Sequence, residues 1–289
     1  MKKFITICSL FFLLLSLNGC VKNNPLPVYL HINPWKLEAN PVLNGKEGDL
    51  FNNFDYAAVY VGNDILGYFH LPCTIPILKF GNQRVTLSPV IKNNGLTSVK
   101  MIYPFVNYYY TDINMEAGGK YTVDPVTSYN DDVVFAFNED FESASLKIMN
   151  DASSQASISQ EPHSNDGFSG YKGVIHLTSE NKLWLGNTFA DMVLPKGGKP
   201  VYLEMDYRTP VRVSTGVISI SSENVNTINP NVAINGQKEL KWNKIYIDLT
   251  DIVSYTANAE HFELYFQSLL PDSLTDATIE LDNIKVVHF

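Results

Sequence analysis

From Val28 onward, apolar and polar residues alternate mostly with period two. Val201, Leu203, Met205 and Tyr207 share one face of a strand whose other face is mostly polar. Ile245, Ile247 and Leu249 repeat the pattern, as do Phe262, Leu264 and Phe266. That spacing predicts half-buried β-strands. No window of a dozen residues keeps a 3.6-residue apolar period, and only Thr250 to Ser254 suits a helical turn. Gly, Pro, Asn and Asp break the chain at short intervals, as expected of an all-β protein.

The pattern divides the chain in two. Residues 28–128 contain Tyr56 to Val61, a turn at Gly62-Asn63-Asp64, Ile65 to Pro72, and a second turn at Gly81-Asn82 leading into Gln83 to Pro89. Strand, tight turn, strand, Pro-marked crossover and strand predict a small Ig-like β-sandwich. Residues 129–289 open on Val133 to Glu142 and close on Ala277 to Val287. In the last strand Ile279 and Leu281 are apolar on odd numbers, Ile284 and Val286 on even ones. The phase slips at Asp282-Asn283, which predicts a bulge.

The first nineteen residues are of another kind. Met1, Lys2 and Lys3 precede an apolar run from Phe4 to Leu17. As a helix the run would be about 21 Å long, short of a bilayer core of about 30 Å, so a signal peptide is expected. Its end, Leu17-Asn18-Gly19-Cys20, resembles the lipobox of bacterial lipoproteins. The resemblance implies cleavage before Cys20 and acylation of that residue, giving an outer-membrane lipoprotein held by diacylglycerol and palmitate-type chains. Residues 20–27 would then be a lipidated tether. Envelope lipoproteins of the Bacteroides type often carry acidic residues just after the Cys. None follows here, so the sequence leaves the periplasmic and cell-surface faces open.

Composition narrows the options. The 289 residues are 45% hydrophobic, 12% aromatic and 18% charged, which excludes a disordered chain. A net charge of −9 argues against a nucleic-acid partner. Cleavage would leave 270 residues and 19 of the 21 basic side chains against 30 acidic ones, a net of −11. Of Cys8, Cys20 and Cys73, only Cys73 would stay a free thiol, so core burial alone must hold the fold.

Two further resemblances follow from these segments. Gly62, Gly67, Pro72 or Pro76, and Gly81 are spaced as in PEGA-type surface domains. In the second unit, Phe141-Glu142, Trp242-Asn243-Lys244-Ile245-Tyr246-Ile247-Asp248-Leu249 and Leu281-Asp282-Asn283-Ile284-Lys285-Val286 resemble galactose-binding-like jelly rolls. Many carbohydrate-binding modules belong to that class. It implies a jelly-roll β-sandwich and, in many members, a structural Ca²⁺ between first and last strands, for which Glu142 and Asp282 would be the carboxylates. The plainer alternative is that Asp282 caps the bulge and Glu142 is a solvated surface residue.

Catalytic patterns are scarce. There is no HExxH, GxSxG or zinc-spaced Cys/His cluster, and the six histidines are scattered. Glu280-Leu281-Asp282 resembles the start of the Glu-x-Asp-x-x-Glu motif of jelly-roll glycoside hydrolases, but Lys285 fills the third place. No enzyme activity is expected. Aromatic residues stand out instead. Tyr103 to Tyr110 is dense enough to present rings on both sides of a strand, and Phe168, Tyr171 and Trp184 cluster in the second unit. Sugar rings stack on such faces, so Trp184, Tyr171 and Phe168 are the expected glycan ligands. The expected function is a non-enzymatic, membrane-anchored carbohydrate-binding lipoprotein. The alternative is a structural or adhesive component contacting other envelope proteins.

Overall fold

A computed structural model describes residues 25–164, 166–256 and 258–289. The expected signal peptide and lipobox, with Cys20, lie outside the described residues. The first unit holds ten strands: β1 (Val28–Ile32), β2 (Lys36–Leu37), β3 (Tyr56–Val61), β4 (Asp64–His70), β5 (Cys73–Ile77), β6 (Gly81–Lys92), β7 (Lys100–Ile102), β8 (Tyr109–Met115), β9 (Lys120–Val123) and β10 (Val126–Thr127). One sheet runs β5-β1-β9. Another runs β4-β3-β6, with β7 and β8 pairing different stretches of the long β6. The predicted turn at 62–64 lies at the β3–β4 junction, whereas residues 78–80 connect β5 to β6 and Gly81-Asn82 already opens β6.

The second unit comprises β11 (Val134–Glu139), β12 (Ile148–Asn150), β13 (Ile158–Pro162), β14 (Tyr171–Thr178), β15 (Leu183–Thr188), β16 (Val201–Arg208), β17 (Val213–Ser221) and β18 (Asn226–Ile234). It ends with β19 (Asn243–Asp248), helix α1 (Thr250–Tyr255), β20 (Ala259–Leu269) and β21 (Asp276–His288). These strands form a sandwich. Its six-stranded sheet runs β13-β14-β21-β16-β19, with β11 also on β21, and its five-stranded sheet runs β12-β15-β20-β17-β18. Leu203 and Met205 meet Leu264 and Phe266 in one core between the sheets. The phase slip is a bulge. Glu204 pairs with Lys285 but Asp206 with Asp282, so β21 carries one extra residue, and Asn283 takes a φ of 48°.

The other face of β16 is also buried, and this was not expected. Tyr202, Glu204 and Asp206 alternate with the core residues, yet they are at most 3% exposed. They face the first unit across a seam. Tyr103 Oη donates to Glu204 Oε1 at 2.5 Å and Tyr129 Oη to the same carboxylate at 2.8 Å. Lys244 Nζ reaches Asp206 Oδ1 at 3.1 Å and Glu204 Oε2 at 3.5 Å. Phe54 stacks on Tyr246, and Tyr103 packs against Tyr202 and Tyr246. The first unit's core thus extends onto Tyr202, Tyr246 and Val287 of the second.

Candidate functional site

The expected site residues part company. Trp184 is fully buried; its ring stacks near Phe266 at 6.0 Å and its Nε1 donates to Asn150 Oδ1. The assignment of Trp184 to a glycan face is corrected. It lies on an inward register of β15, and the large ring fills the sandwich core. Phe168, Glu142 and Asp282, by contrast, line a single cleft of about 680 Å³, together with Asp49, Phe51, Asp140 and Asn283. Tyr171, 43% exposed, stands beside it.

Both units build this cleft. Lys285, buried on β21, donates to the carbonyls of Glu47 and Asp49 (2.7 Å for Asp49) and so pins the first unit's loop. The loop opposite is held by Glu142, which accepts the Tyr171 N–H at 2.7 Å. Gly170 sits there at a φ of 82°, and a Cβ would lie 1.9 Å from Glu142 Oε1, so only glycine lets the loop come this close. Across the cleft Phe51 and Phe168 meet edge to face at 5.1 Å. Phe168 also stacks on His163 at 5.5 Å and packs on Trp242 at 5.1 Å. Its ring is occupied on several sides and offers little to a sugar.

Behind the cleft lies a buried carboxylate–imidazole–carboxylate chain. His163 Nδ1 lies 2.9 Å from Asp166 Oδ2, and its Nε2 lies 3.1 Å from Asp282 Oδ2. Burial raises the Asp282 carboxyl to about 7, despite hydrogen bonds from the Asn283 N–H and His163. Burial acts on Asp166 in the same sense. There, hydrogen bonds from His163, Trp242 Nε1 and the Phe168 N–H outweigh it and hold the carboxyl well below its usual range. Lys172 and Arg208 share Glu280, and Arg208 also lies over the Trp242 ring.

The Ca²⁺ expectation can be tested on these contacts. Calcium takes six to eight oxygen ligands. Here Glu142 Oε1 is engaged by a backbone N–H, and Asp282 accepts from the Asn283 N–H and contacts His163. Among the described residues, no three His, Cys, Asp or Glu side chains converge in a metal-holding group. Asp282 caps its own bulge, and the donor set does not fit a Ca²⁺ ion.

A different surface has the composition a sugar requires. On the five-stranded sheet, Phe262, Leu264 and Phe266 point inward, so Glu263, Tyr265 and Gln267 line the outer face. Tyr265 lies opposite Asn187 on β15 and Gly216 on β17. A Cβ at Gly216 would come within 2.3 Å of Asn229 O, so glycine lets edge strand β18 close onto the sheet. The result is a groove of about 280 Å³. Leu185, Ile218 and Ile228 supply its apolar lining, Tyr265 an aromatic ring, and Asp151, Ser153 and Asn187 its polar groups. Tyr265 Oη donates to Gln267 Oε1 at 2.9 Å, and Asn187 Nδ2 donates to Glu263 Oε2 at 3.1 Å. Burial, only partly offset by Asn187, raises the Glu263 carboxyl. The period-two reading of β20 already contained Glu263, Tyr265 and Gln267 as the complement of its core residues. Only the concavity that brings Leu185, Ile218 and Ile228 beside them was hidden.

No family model matches the chain, and no curated protein matches its sequence. Solved structures do resemble it. The CBM22-1 xylan-binding domain of Xyn10C from Paenibacillus barcinonensis is 12% identical over 53% of this chain and 93% of its own, with a TM-score of 0.37. A carbohydrate-binding module of the β-sandwich superfamily is 14% identical over 80% and 84%, at 0.40. The family 11 module from Clostridium thermocellum, solved with a mixed-linked tetrasaccharide, is 12% identical over 52% and 93%, at 0.34. These neighbours are β-sandwich carbohydrate-binding modules. The sandwich of the present chain stands on its own strand pairing.

Proposed function

We propose that this protein binds carbohydrate through the groove on the outer face of the five-stranded sheet. The carrying observation is the grouping of Tyr265, Leu185, Ile218 and Ile228 with Asp151, Ser153 and Asn187 on one concave surface, with Glu263 bonded to Asn187 beside it. A pyranose has an apolar C–H face and a rim of hydroxyls. The ring and aliphatic side chains meet the first, and the Asp151 carboxylate, Ser153 hydroxyl and Asn187 amide bond the second. No step of the reading requires covalent chemistry. The lipobox-like Leu17-Asn18-Gly19-Cys20 supports a lipid anchor, so the groove would act on a polymer met at the cell envelope. In that case Cys20→Ala should move the protein from the membrane to the soluble fraction.

The test is a glycan array probed with the soluble chain from Val21 onward. Binding to a defined set of neutral glycans is expected. A natively folded chain, checked by circular dichroism, that binds none of them would overturn the reading.

A further inference from the structure

The outward face of the β4-β3-β6-β8 sheet is paved with tyrosine. Val59, Val61, Val85 and Leu87 point into the first unit's core, so the alternate residues Tyr56, Ala58, Tyr60, Arg84, Thr86 and Ser88 point outward. The register sets larger side chains around small ones. Tyr68 lies opposite Ala58 and Ala58 opposite Ser88, while Tyr60 lies opposite Thr86 and Thr86 opposite Tyr110. With strands about 4.8 Å apart, Tyr60 and Tyr110 stand about 10 Å apart across Thr86.

Tyr110 on β8, and Tyr108 just before that strand, are more than half exposed. Tyr108 is 62% and Tyr110 56% accessible, and their rings lie 6.2 Å apart. Arg84 holds its guanidinium 5.0 Å from the Tyr110 ring while bonding Asp112 through Nε and Nη2, each at 2.9 Å. Planar rings, phenol hydroxyls, a braced guanidinium–carboxylate pair and the Thr86 and Ser88 hydroxyls therefore share one face.

We propose that this tyrosine face binds a neutral polysaccharide chain laid across the strands, as a second contact surface separate from the Tyr265 groove. The inference rests on the carbohydrate reading above. Arg84 is paired with Asp112 and Lys92 with Asp55. That leaves Lys100, 4.8 Å over the Tyr56 ring and bonded to the Thr97 carbonyl, as a further cation, so the face offers only a weak field to an anionic polymer. Each exposed ring adjoins a polar group, which suits a chain alternating C–H faces with hydroxyls better than a wholly apolar partner. The face is open, so it suits an extended polymer and gains little from a short sugar. A polymer long enough to reach both surfaces would gain avidity without any new contact at either.

The test uses the soluble chain from Val21, its Tyr108→Ala/Tyr110→Ala variant and its Tyr265→Ala variant. Affinity electrophoresis in xylan, mixed-linkage β-glucan, glucomannan and starch reads polymer binding. Calorimetry with a tetrasaccharide of the bound polymer reads the groove alone. The double tyrosine variant should bind polymer at least ten-fold more weakly and the tetrasaccharide equally well, with an unchanged melting temperature because both rings are exposed. Tyr110→Leu, which keeps apolar bulk without a ring, should lose affinity in the same sense. Polymer binding by the double variant within two-fold of the parent overturns this inference and leaves the groove intact. Tetrasaccharide binding with no tighter binding of polymer does the same. A parent chain that binds neither overturns both readings.

Discussion

The seam between the units and the groove on the five-stranded sheet both mix aromatic rings with carboxylates, and they use them in opposite ways. At the seam the central carboxylate has its partners inside the protein. Glu204 accepts from two tyrosines and faces Lys244, while Tyr103 packs against Phe105, Tyr202 and Tyr246. In the groove Tyr265 is partly open with its hydroxyl bonded to Gln267, and the Asn187 amide bonds the neighbouring Glu263 carboxylate. A satisfied buried network fixes how two surfaces dock. A half-satisfied, half-exposed set leaves lone pairs and a ring face for something else. Aromatic content alone does not mark a binding site; the state of the ring's faces does.

Removing the central seam carboxylate should give the largest effect. Glu204→Ala leaves the Tyr103 and Tyr129 hydroxyls and the Lys244 ammonium short of a partner in a site with no access to water. Breaking a buried charged network by deleting one member costs about 3–5 kcal/mol. Urea unfolding should show that loss, and the melting transition should broaden or split as the two units lose their common core. A change under about 1 kcal/mol would mean that the seam is held by its aromatic packing and not by Glu204.

The next prediction concerns the chain behind the junction cleft. The folded-state Asp282 carboxyl is raised from 3.8 to about 7, with burial as the largest cause. The folded protein therefore binds this proton more tightly than the unfolded chain. Its contribution to stability is full below about pH 4, declines as pH rises, and is gone above about pH 7. Asp166 is shifted the other way and contributes above its unfolded value, with loss in more acidic solution. At about 1.4 kcal/mol per pH unit the Asp282 effect amounts to a few kcal/mol. Asp282→Asn should flatten the fall in unfolding free energy between pH 4 and 7 and raise stability at pH 8. An unchanged pH profile would show that Asp282 titrates normally.

Much of this was legible in the alternation of the sequence, and the part that was not has a physical cause. Val201, Leu203, Met205 and Tyr207 were readable as a core face, and the slip at Asp282-Asn283 as a bulge. The polar face of the same strand reads as solvent-facing, because a period-two pattern does not distinguish water from a polar surface on another unit. Tyr202, Glu204 and Asp206 lie against the first unit instead. Trp184 failed for a related reason. Its neighbours in the sequence are loop-like, but its register on β15 turns it inward, and register depends on the partner strand β20. Phe168, Glu142 and Asp282, drawn from two different expected sites, line one cleft. Their hydrogen-bond partners, set by residues as distant as His163 and Tyr171, leave them engaged within the protein.

The smallest effect bears most directly on the contrast between the two regions. Phe168→Ala and Tyr265→Ala each remove one ring of similar size. Phe168 is packed on Phe51, His163 and Trp242, so its loss should lower the melting temperature while leaving the affinity for a bound tetrasaccharide within two-fold. Tyr265 is partly exposed at the centre of the groove. Its loss should cost little stability and about ten-fold in affinity, equivalent to about 1.4 kcal/mol, near the upper end of what one aromatic contact supplies. Calorimetry and thermal melts on both variants read the two quantities independently. The opposite pairing, with affinity lost at Phe168 and kept at Tyr265, would move the sugar into the junction cleft. The carboxylates Asp49, Asp140 and Glu142 would then have to accept its hydroxyls, and the Phe51–Phe168 contact would have to open to admit the ring.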